Sequence, residues 1–167
     1  MKPIRTPAIL LILLCLGFLL YVSQTSSMLP ERMASHFGID GQPNGWMCRS
    51  GYVVFISLFG VGLPAFVAGL VAFCRFLPDW TVNIPHREHW LSPEHRSQTY
   101  DYLLARSLWL ACLVVGFVGG MHYLTMLANR SVPVHLPGGL LFMMLAIFLA
   151  ILGIWSVGLF RHFRIPA

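Results

Sequence analysis

Four long stretches of apolar residues alternate with polar segments along the chain. In an α-helix about 20 such residues, rising roughly 1.5 Å each, cross the roughly 30 Å hydrocarbon core of a bilayer. The pattern therefore predicts an all-α protein, in which residues 1–167 form a single membrane domain built as a bundle of four transmembrane helices. The approximate spans are residues 7–22, 52–73, 108–127 and 137–160.

The segment between the first two spans, residues 23–51, carries two dipeptides that favour tight turns. Asp40-Gly41 and Asn44-Gly45 are typical of turns because glycine tolerates positive φ at little cost. We expect these residues to form a compact loop with little regular structure.

The longer polar segment, residues 75–106, joins the second and third spans. Within it, Ser92-Pro93-Glu94 offers an N-cap, a proline at the first helical position and an acid in the first turn. The third helix is therefore predicted to begin near Pro93. In the second span, Pro64 removes a backbone hydrogen bond and predicts a kink, which is either structural or a hinge.

Composition excludes an ordinary soluble surface, because 57% of the residues are hydrophobic and only 10% are charged. The formal net charge of +5 would suit a nucleic-acid-binding protein. The Lys and Arg residues are dispersed, however, and form no basic run. The lipid bilayer is therefore the predicted partner, and nucleic acid is not.

Lys and Arg residues are distributed unequally between the two sides of the predicted bundle. Eight of the eleven lie before the first span, between the second and third spans, or after the last, and three lie in the other two loops. Positively charged loops tend to stay in the cytoplasm. Both termini and residues 75–106 are therefore predicted to be cytoplasmic, and residues 23–51 to lie outside.

The first apolar stretch has a second interpretation. Lys2 and Arg5, followed by a long apolar run, also resemble a secretory signal peptide. Residues 23–27 lack the Ala-x-Ala pattern of a cleavage site, and losing the first span would place the termini on opposite sides. Retention as the first helix is the preferred interpretation, and cleavage is the alternative.

Cysteine positions imply neither a disulfide framework nor a metal knuckle. Cys15, Cys74 and Cys112 lie within or at the ends of predicted spans, and Cys48 lies in the first polar loop. The sequence contains no Cys-x-x-Cys pair, Gly-x-Ser-x-Gly elbow, phosphate loop or dinucleotide fingerprint. It therefore predicts no catalytic residue, no metal and no cofactor.

His122 is the one ionisable residue well inside a predicted span, and an ionisable residue in the membrane is a functional candidate. It either forms hydrogen bonds as a neutral imidazole to another helix or loop, or it serves in proton relay, ligand contact or metal binding. His36, Cys48 and His135 are predicted to lie towards the same face. Their spacing matches no compact zinc or copper motif.

Two groups of residues resemble a known family. Residues 29–46 read Leu-Pro-x-x-x-x-x-His-Phe-x-x-x-Gly-x-Pro-x-x-Trp, and a second group lies in the longer loop. They resemble an uncharacterised family of bacterial integral membrane proteins, whose domain of unknown function also forms the N-terminal part of SdpI-type toxin-immunity proteins. The residues that the resemblance marks as a functional or structural motif are His36, Phe37, Gly41, Pro43, Gly45, Trp46, Asn83, Pro85, Trp90, Pro93, Glu94, His122 and Asn129.

The resemblance implies a multi-pass protein of the bacterial inner membrane. It also has departures: SdpI-type proteins carry further helices after this domain, which this chain lacks up to Ala167. His86 and His89 stand where the family has Asn and an aromatic residue. Immunity function is therefore only weakly implied.

The leading functional hypothesis is a non-enzymatic membrane protein that recognises a protein partner, peptide or lipid in envelope stress or toxin protection, alone or as a homo-oligomer. One alternative is a small transporter or transporter subunit with His122 in a polar path between helices. A second is a subunit of a larger membrane complex. No reaction class is predicted, and an enzymatic or metal-redox role is the remaining alternative.

Overall fold

Four helical segments in the structure, a computed structural model that describes residues 2–164, are long and apolar enough to cross a membrane. This finding confirms the prediction of four membrane-length helices and indicates a multi-pass membrane protein. The segments are Pro3–Ser26, Arg49–Phe76, Arg96–Arg130 and Gly138–His162.

The termini fall partly outside the description. The structure does not describe Met1, the side chain of Lys2 or residues 165–167. The predicted topology signal at Lys2 and the predicted positions of the two chain ends therefore lie outside the described residues.

In chain order the elements are α1 (Lys2–Ser26), β1 (Arg32–Phe37), β2 (Pro43–Cys48), α2 (Arg49–Ser57), α3 (Leu63–Phe73), α4 (Arg87–Trp90), α5 (Arg96–Arg130) and α6 (Gly138–His162).

Helix α5 is the centre of the bundle, and α1, α3 and α6 all pack against it. At 35 residues it is about 52 Å long, which exceeds the thickness of a bilayer core. The main apolar core joins α1 to α5, with Phe18 and Val22 packed near Val115 and Val118. Helix α6 has no buried residue and packs mainly on α5, so it lies at the edge of the bundle.

Next to Pro64, where the sequence predicts a kink, the structure has a π-helical turn, Leu58–Gly62, between α2 and α3. Proline has no N–H, and its ring crowds the carbonyl group four residues earlier, which the wider turn accommodates. That earlier residue is Gly60, which is buried against the ring of Phe18. A methyl group at Gly60 would overlap this ring, so the turn also brings the second helical segment close to α1.

The segment between the first two spans contains a β-hairpin, so the prediction of a loop with little regular structure in a wholly α-helical fold is wrong at this point. Strands β1 and β2 pair antiparallel, with Arg32 opposite Cys48 and Phe37 opposite Pro43. The chain reverses at a turn in which Gly41 has a φ of +78°. The strands contain no Val, Ile or Thr, which explains why propensity did not reveal them.

We call the end of the bundle with this hairpin the hairpin end, and the end with residues 77–95 the opposite end. At the opposite end, Arg75 and Arg96 form ion pairs with Asp101 and Asp79, each at 3.0 Å. These pairs tie the connecting segment to the first turns of α5.

Helix α5 begins at Arg96 rather than near Pro93, so the predicted N-cap at Ser92 is wrong. The carbonyl oxygen of Ser92 accepts hydrogen bonds from the N–H groups of His95 (3.0 Å) and Arg96 (2.9 Å). Its side-chain Oγ contacts His95 Nδ1 at 3.0 Å instead of a backbone N–H. Residues 92–95 therefore form a turn that leads into the helix.

Candidate functional site

His122 lies on α5 near the hairpin end and has no solvent exposure. Its Nε2 lies 2.8 Å from Thr25 Oγ1, and its Nδ1 lies 2.8 Å from the Tyr52 hydroxyl oxygen. Thr25 belongs to α1 and Tyr52 to α2. The imidazole therefore links three helices, and both of its nitrogens have a partner.

The direction of these hydrogen bonds follows from the position of one hydroxyl proton. Thr25 Oγ1 donates to the carbonyl oxygen of Tyr21 at 2.6 Å, so its proton is already used. Thr25 must then accept a hydrogen bond from His122 Nε2–H, which leaves Nδ1 as the acceptor for the Tyr52 hydroxyl. The network assigns a neutral imidazole with its proton on Nε2.

Aromatic rings enclose the imidazole on two sides. The Tyr21 ring meets it edge-on with centroids 5.1 Å apart, and the Tyr52 ring lies nearly parallel to it at 5.7 Å. The hydrogen-bonded chain ends on a backbone carbonyl group of α1, which cannot pass a proton onward. The geometry therefore favours the interpretation of His122 as a buried link between helices.

The other residues considered for a metal site lie apart from His122. His36 is exposed on β1 and contacts Asn44, and Cys48 is exposed at the end of β2. His135 Nε2 donates to the carbonyl oxygen of Asp40 at 3.1 Å. Within residues 2–164, no group of three or more His, Cys, Asp or Glu side chains is arranged to hold a metal ion.

Asn129, on the last turn of α5, holds β1 by its backbone. Its Oδ1 accepts the N–H of Ala34 at 2.8 Å, and its Nδ2 donates to the carbonyl oxygen of the same residue at 2.8 Å. The amide thus takes the place of a neighbouring strand and satisfies backbone groups on the outer edge of β1. Nδ2 also donates to the carbonyl oxygen of Thr125, which fixes the orientation of the side chain.

The tip of the hairpin is held by the segment before α6. The N–H of Leu136 donates to the carbonyl oxygen of Gly41 at 2.9 Å, next to the bond between His135 and Asp40. A Cβ atom on Gly41 would lie 2.7 Å from the His135 ring and 2.8 Å from the Leu136 carbonyl oxygen. Gly41 is therefore required for its positive φ and for the close approach of the two segments.

Most of the first motif builds this hairpin. His36 Nδ1 contacts Asn44 Oδ1 across the strands, and a Cβ on Gly45 would lie 2.8 Å from the Cβ of His36. Phe37, opposite Pro43, packs on a small apolar cluster between α5 and α6. Trp46 on β2 is the large aromatic residue of this motif that is left exposed, at 46% of its surface.

The second motif lies at the opposite end and does not meet the first. Trp90 Nε1 donates to the carbonyl oxygen of Phe163 at 3.3 Å, and the Trp90 ring stacks on His162 at 5.2 Å. Thr99 Oγ1 donates to the Trp90 carbonyl oxygen at 2.7 Å, so α4 is tied to both α5 and the end of α6. The remaining motif residues are exposed: Asn83, Pro85, Pro93 and Glu94.

Thr25, Tyr52 and Tyr21 surround His122, and none of the three is predicted from the sequence. Thr25 and Tyr52 are polar residues at the edges of apolar stretches, at the end where His122 lies. Because both residues lie at the same membrane depth as His122, their positions in the sequence could have identified them as its partners. Ala34 offered no such signal, because it participates only through its backbone.

Comparison with known proteins relates the N-terminal part of the chain to one family. Residues 8–61 match a family model described as a domain of unknown function, DUF1648. The match includes most of α1, the hairpin, Thr25 and Tyr52, and it ends before His122. No curated protein and no solved structure was found to match the chain. The match supports an uncharacterised domain family for this part of the protein.

Proposed function

We propose that this chain is a non-enzymatic protein of the bacterial inner membrane whose hairpin end recognises a protein or peptide partner outside the cytoplasm, in envelope stress or toxin protection. In this proposal both termini and the opposite end are cytoplasmic. The unequal distribution of Lys and Arg residues supports that orientation.

The observation that carries the proposal is a hairpin fixed in place with apolar side chains left exposed. Asn129 and the segment before α6 hold both β1 and the turn. Trp46 is 46% exposed, Ile39 at the turn is 99% exposed, and Val132 in the adjacent segment is 98% exposed. A preorganised surface with exposed aromatic and aliphatic groups loses little conformational entropy when a partner binds.

The enclosure of His122 favours this proposal over the transporter hypothesis. A residue that passes protons or binds a transported solute must be reached from water. His122 has no exposed surface, and both of its nitrogens are occupied by Thr25 and Tyr52. The site therefore supports architecture at the base of the hairpin.

Recognition at the hairpin end predicts unequal effects of replacing two exposed tryptophans. Trp46→Ala is expected to abolish complementation of a gene deletion in cells challenged with membrane-active peptides, because it removes the aromatic contact. Trp80→Ala is the matched control, since Trp80 is 74% exposed at the opposite end and should complement fully. Survival at equal protein levels is the measurement.

A photo-crosslinking residue placed at position 46 or 80 tests whether a partner contacts the hairpin end. A partner adduct at position 46 alone supports the proposal. Equal adducts at both positions would remove the hairpin end as the specific surface, and deletion cells with wild-type sensitivity would remove the protective role.

Cys48 provides a test of orientation. Its sulfur lies 3.5 Å from the Ser50 hydroxyl, and hydrogen bonds from Ser50 and the backbone N–H of Gly51 lower the pKa of the Cys48 thiol. We expect a membrane-impermeant maleimide to label Cys48 in intact cells. Ser50→Ala should move the pH of half-maximal labelling upward, because the thiolate loses a hydrogen bond and its pKa rises.

Two control variants complete the orientation test. Cys48→Ser should abolish labelling of intact cells. A variant that keeps Cys74 alone, at the other end of the second helical segment, should react only after the membrane is permeabilised. Labelling of Cys48 that also required permeabilisation would contradict the proposed orientation.

A further inference from the structure

Arg106 on α5 and Trp155 on α6 are joined by two reciprocal hydrogen bonds. Nη2 of Arg106 donates to the carbonyl oxygen of Trp155, and Trp155 Nε1 donates back to the carbonyl oxygen of Arg106 at 3.1 Å. The guanidinium carbon lies 5.0 Å from the centroid of the Trp155 ring, within the range of a cation–π interaction. The position of the positive charge is therefore well defined.

This charge has no counter-charge in the described part of the chain. The two ion pairs within residues 2–164 join Arg75 to Asp101 and Arg96 to Asp79. Nε of Arg106 is buried and has no hydrogen-bond partner among those residues. Arg106 as a whole is half-buried, and a guanidinium without a counter-charge among apolar side chains is stabilised when an anion binds it.

Apolar grooves lie on both sides of the pair. One, of about 320 Å³, is bounded by α3, α5, α6 and residues 81–84 of the connecting segment, and its apolar lining includes Val67, Val71, Leu110 and Leu159. The other, of about 630 Å³, runs between α5 and α6 and is lined by Trp109, Leu113, Ile151 and Ile154. Arg106 and Trp155 line both grooves and supply the cation between them.

We propose that Arg106 binds the phosphate group of an anionic phospholipid, with one acyl chain in each groove. The guanidinium presents N–H donors that suit phosphate oxygens, and no carboxylate among residues 2–164 forms an ion pair with it. Arg106 lies two residues before the apolar stretch that begins at Leu108, at the depth expected for headgroups. A free phosphate would satisfy the cation but leave the grooves empty.

The inference rests on insertion of the helices in a bilayer. It is independent of recognition at the hairpin end, about 35 Å away along α5.

Native mass spectrometry of the purified wild-type chain, after exchange into phosphatidylglycerol or phosphatidylcholine, tests the proposal. We expect one phosphatidylglycerol molecule per chain to be retained with about tenfold preference. Equal retention of the two lipids by the wild-type chain would overturn the proposal.

Variants separate this site from general charge attraction. Arg106→Gln should abolish the preference and Arg106→Lys should retain part of it, whereas the matched control Arg161→Gln, exposed at the same end, should keep it. Loss of the preference in Arg161→Gln as well would overturn the site. Displacement of the lipid by millimolar inorganic phosphate would do the same, because it would indicate a site for free phosphate.

Discussion

His122→Leu is expected to lower the free energy of unfolding by about 2 kcal/mol. The Tyr52 hydroxyl would lose its acceptor and Thr25 would lose a donor, next to a His122 side chain that has no solvent exposure. Leucine fills much of the same volume, so the loss comes mainly from hydrogen bonding. Unfolding of the purified protein in mixed detergent micelles, followed by circular dichroism, measures it.

The neighbouring residue gives a matched control. Tyr123, on the same turn of α5, is 54% exposed, and Tyr123→Leu should change stability by less than about 0.5 kcal/mol. Tyr52→Phe should cost about 1 kcal/mol alone and little when added to His122→Leu, because both partners of one bond are then absent. Additive effects of His122→Leu and Tyr52→Phe would contradict the proposed network.

Gly41→Ala is expected to release the hairpin from the bundle while leaving the helices folded. A residue with a side chain is strained at a φ of +78° by about 1–2 kcal/mol. Its Cβ would also lie 2.7 Å from the His135 ring and 2.8 Å from the Leu136 carbonyl oxygen, so the two segments must separate. We expect trypsin to cleave after Arg32 about tenfold faster than in the wild-type protein.

Gly38→Ala is the matched control in the same turn. Its added methyl group would meet only the end of the flexible Asp40 side chain, and cleavage should stay within about twofold of the wild-type rate. Gly41→Asn separates the two causes, because asparagine tolerates positive φ but still fills the space next to His135. A rate for Gly41→Ala equal to that of Gly38→Ala would show that this contact does not hold the hairpin.

The hairpin shows where prediction from sequence stops. The turn at Asp40-Gly41 was recognised from its residues, and Gly41 does adopt positive φ. The strands on either side were missed because their residues have weak β-propensity, and an isolated two-stranded hairpin is at best marginally stable. Asn129 and His135, each 95 residues from its partner in the hairpin, supply what the local sequence lacks.

For His122, the sequence identified the residue but not its role. The cost of burying an ionisable group in a membrane singled it out, and the sequence left open whether its role was structural or functional. That question depends on partners 97 and 70 residues away, Thr25 and Tyr52. Neither the closed network nor the tautomer of the imidazole can be read from α5 alone.

The sequence by itself determined four membrane-length helices, because apolar content and length are local quantities that add along the chain. It also located the departure from regular α-helix next to Pro64, since a missing N–H acts within one turn. Only the tertiary structure decided the hairpin, the enclosure of His122 and the pairing of Arg106 with Trp155. Each of these depends on atoms brought together from distant segments, and such contacts leave no periodic signal in the chain.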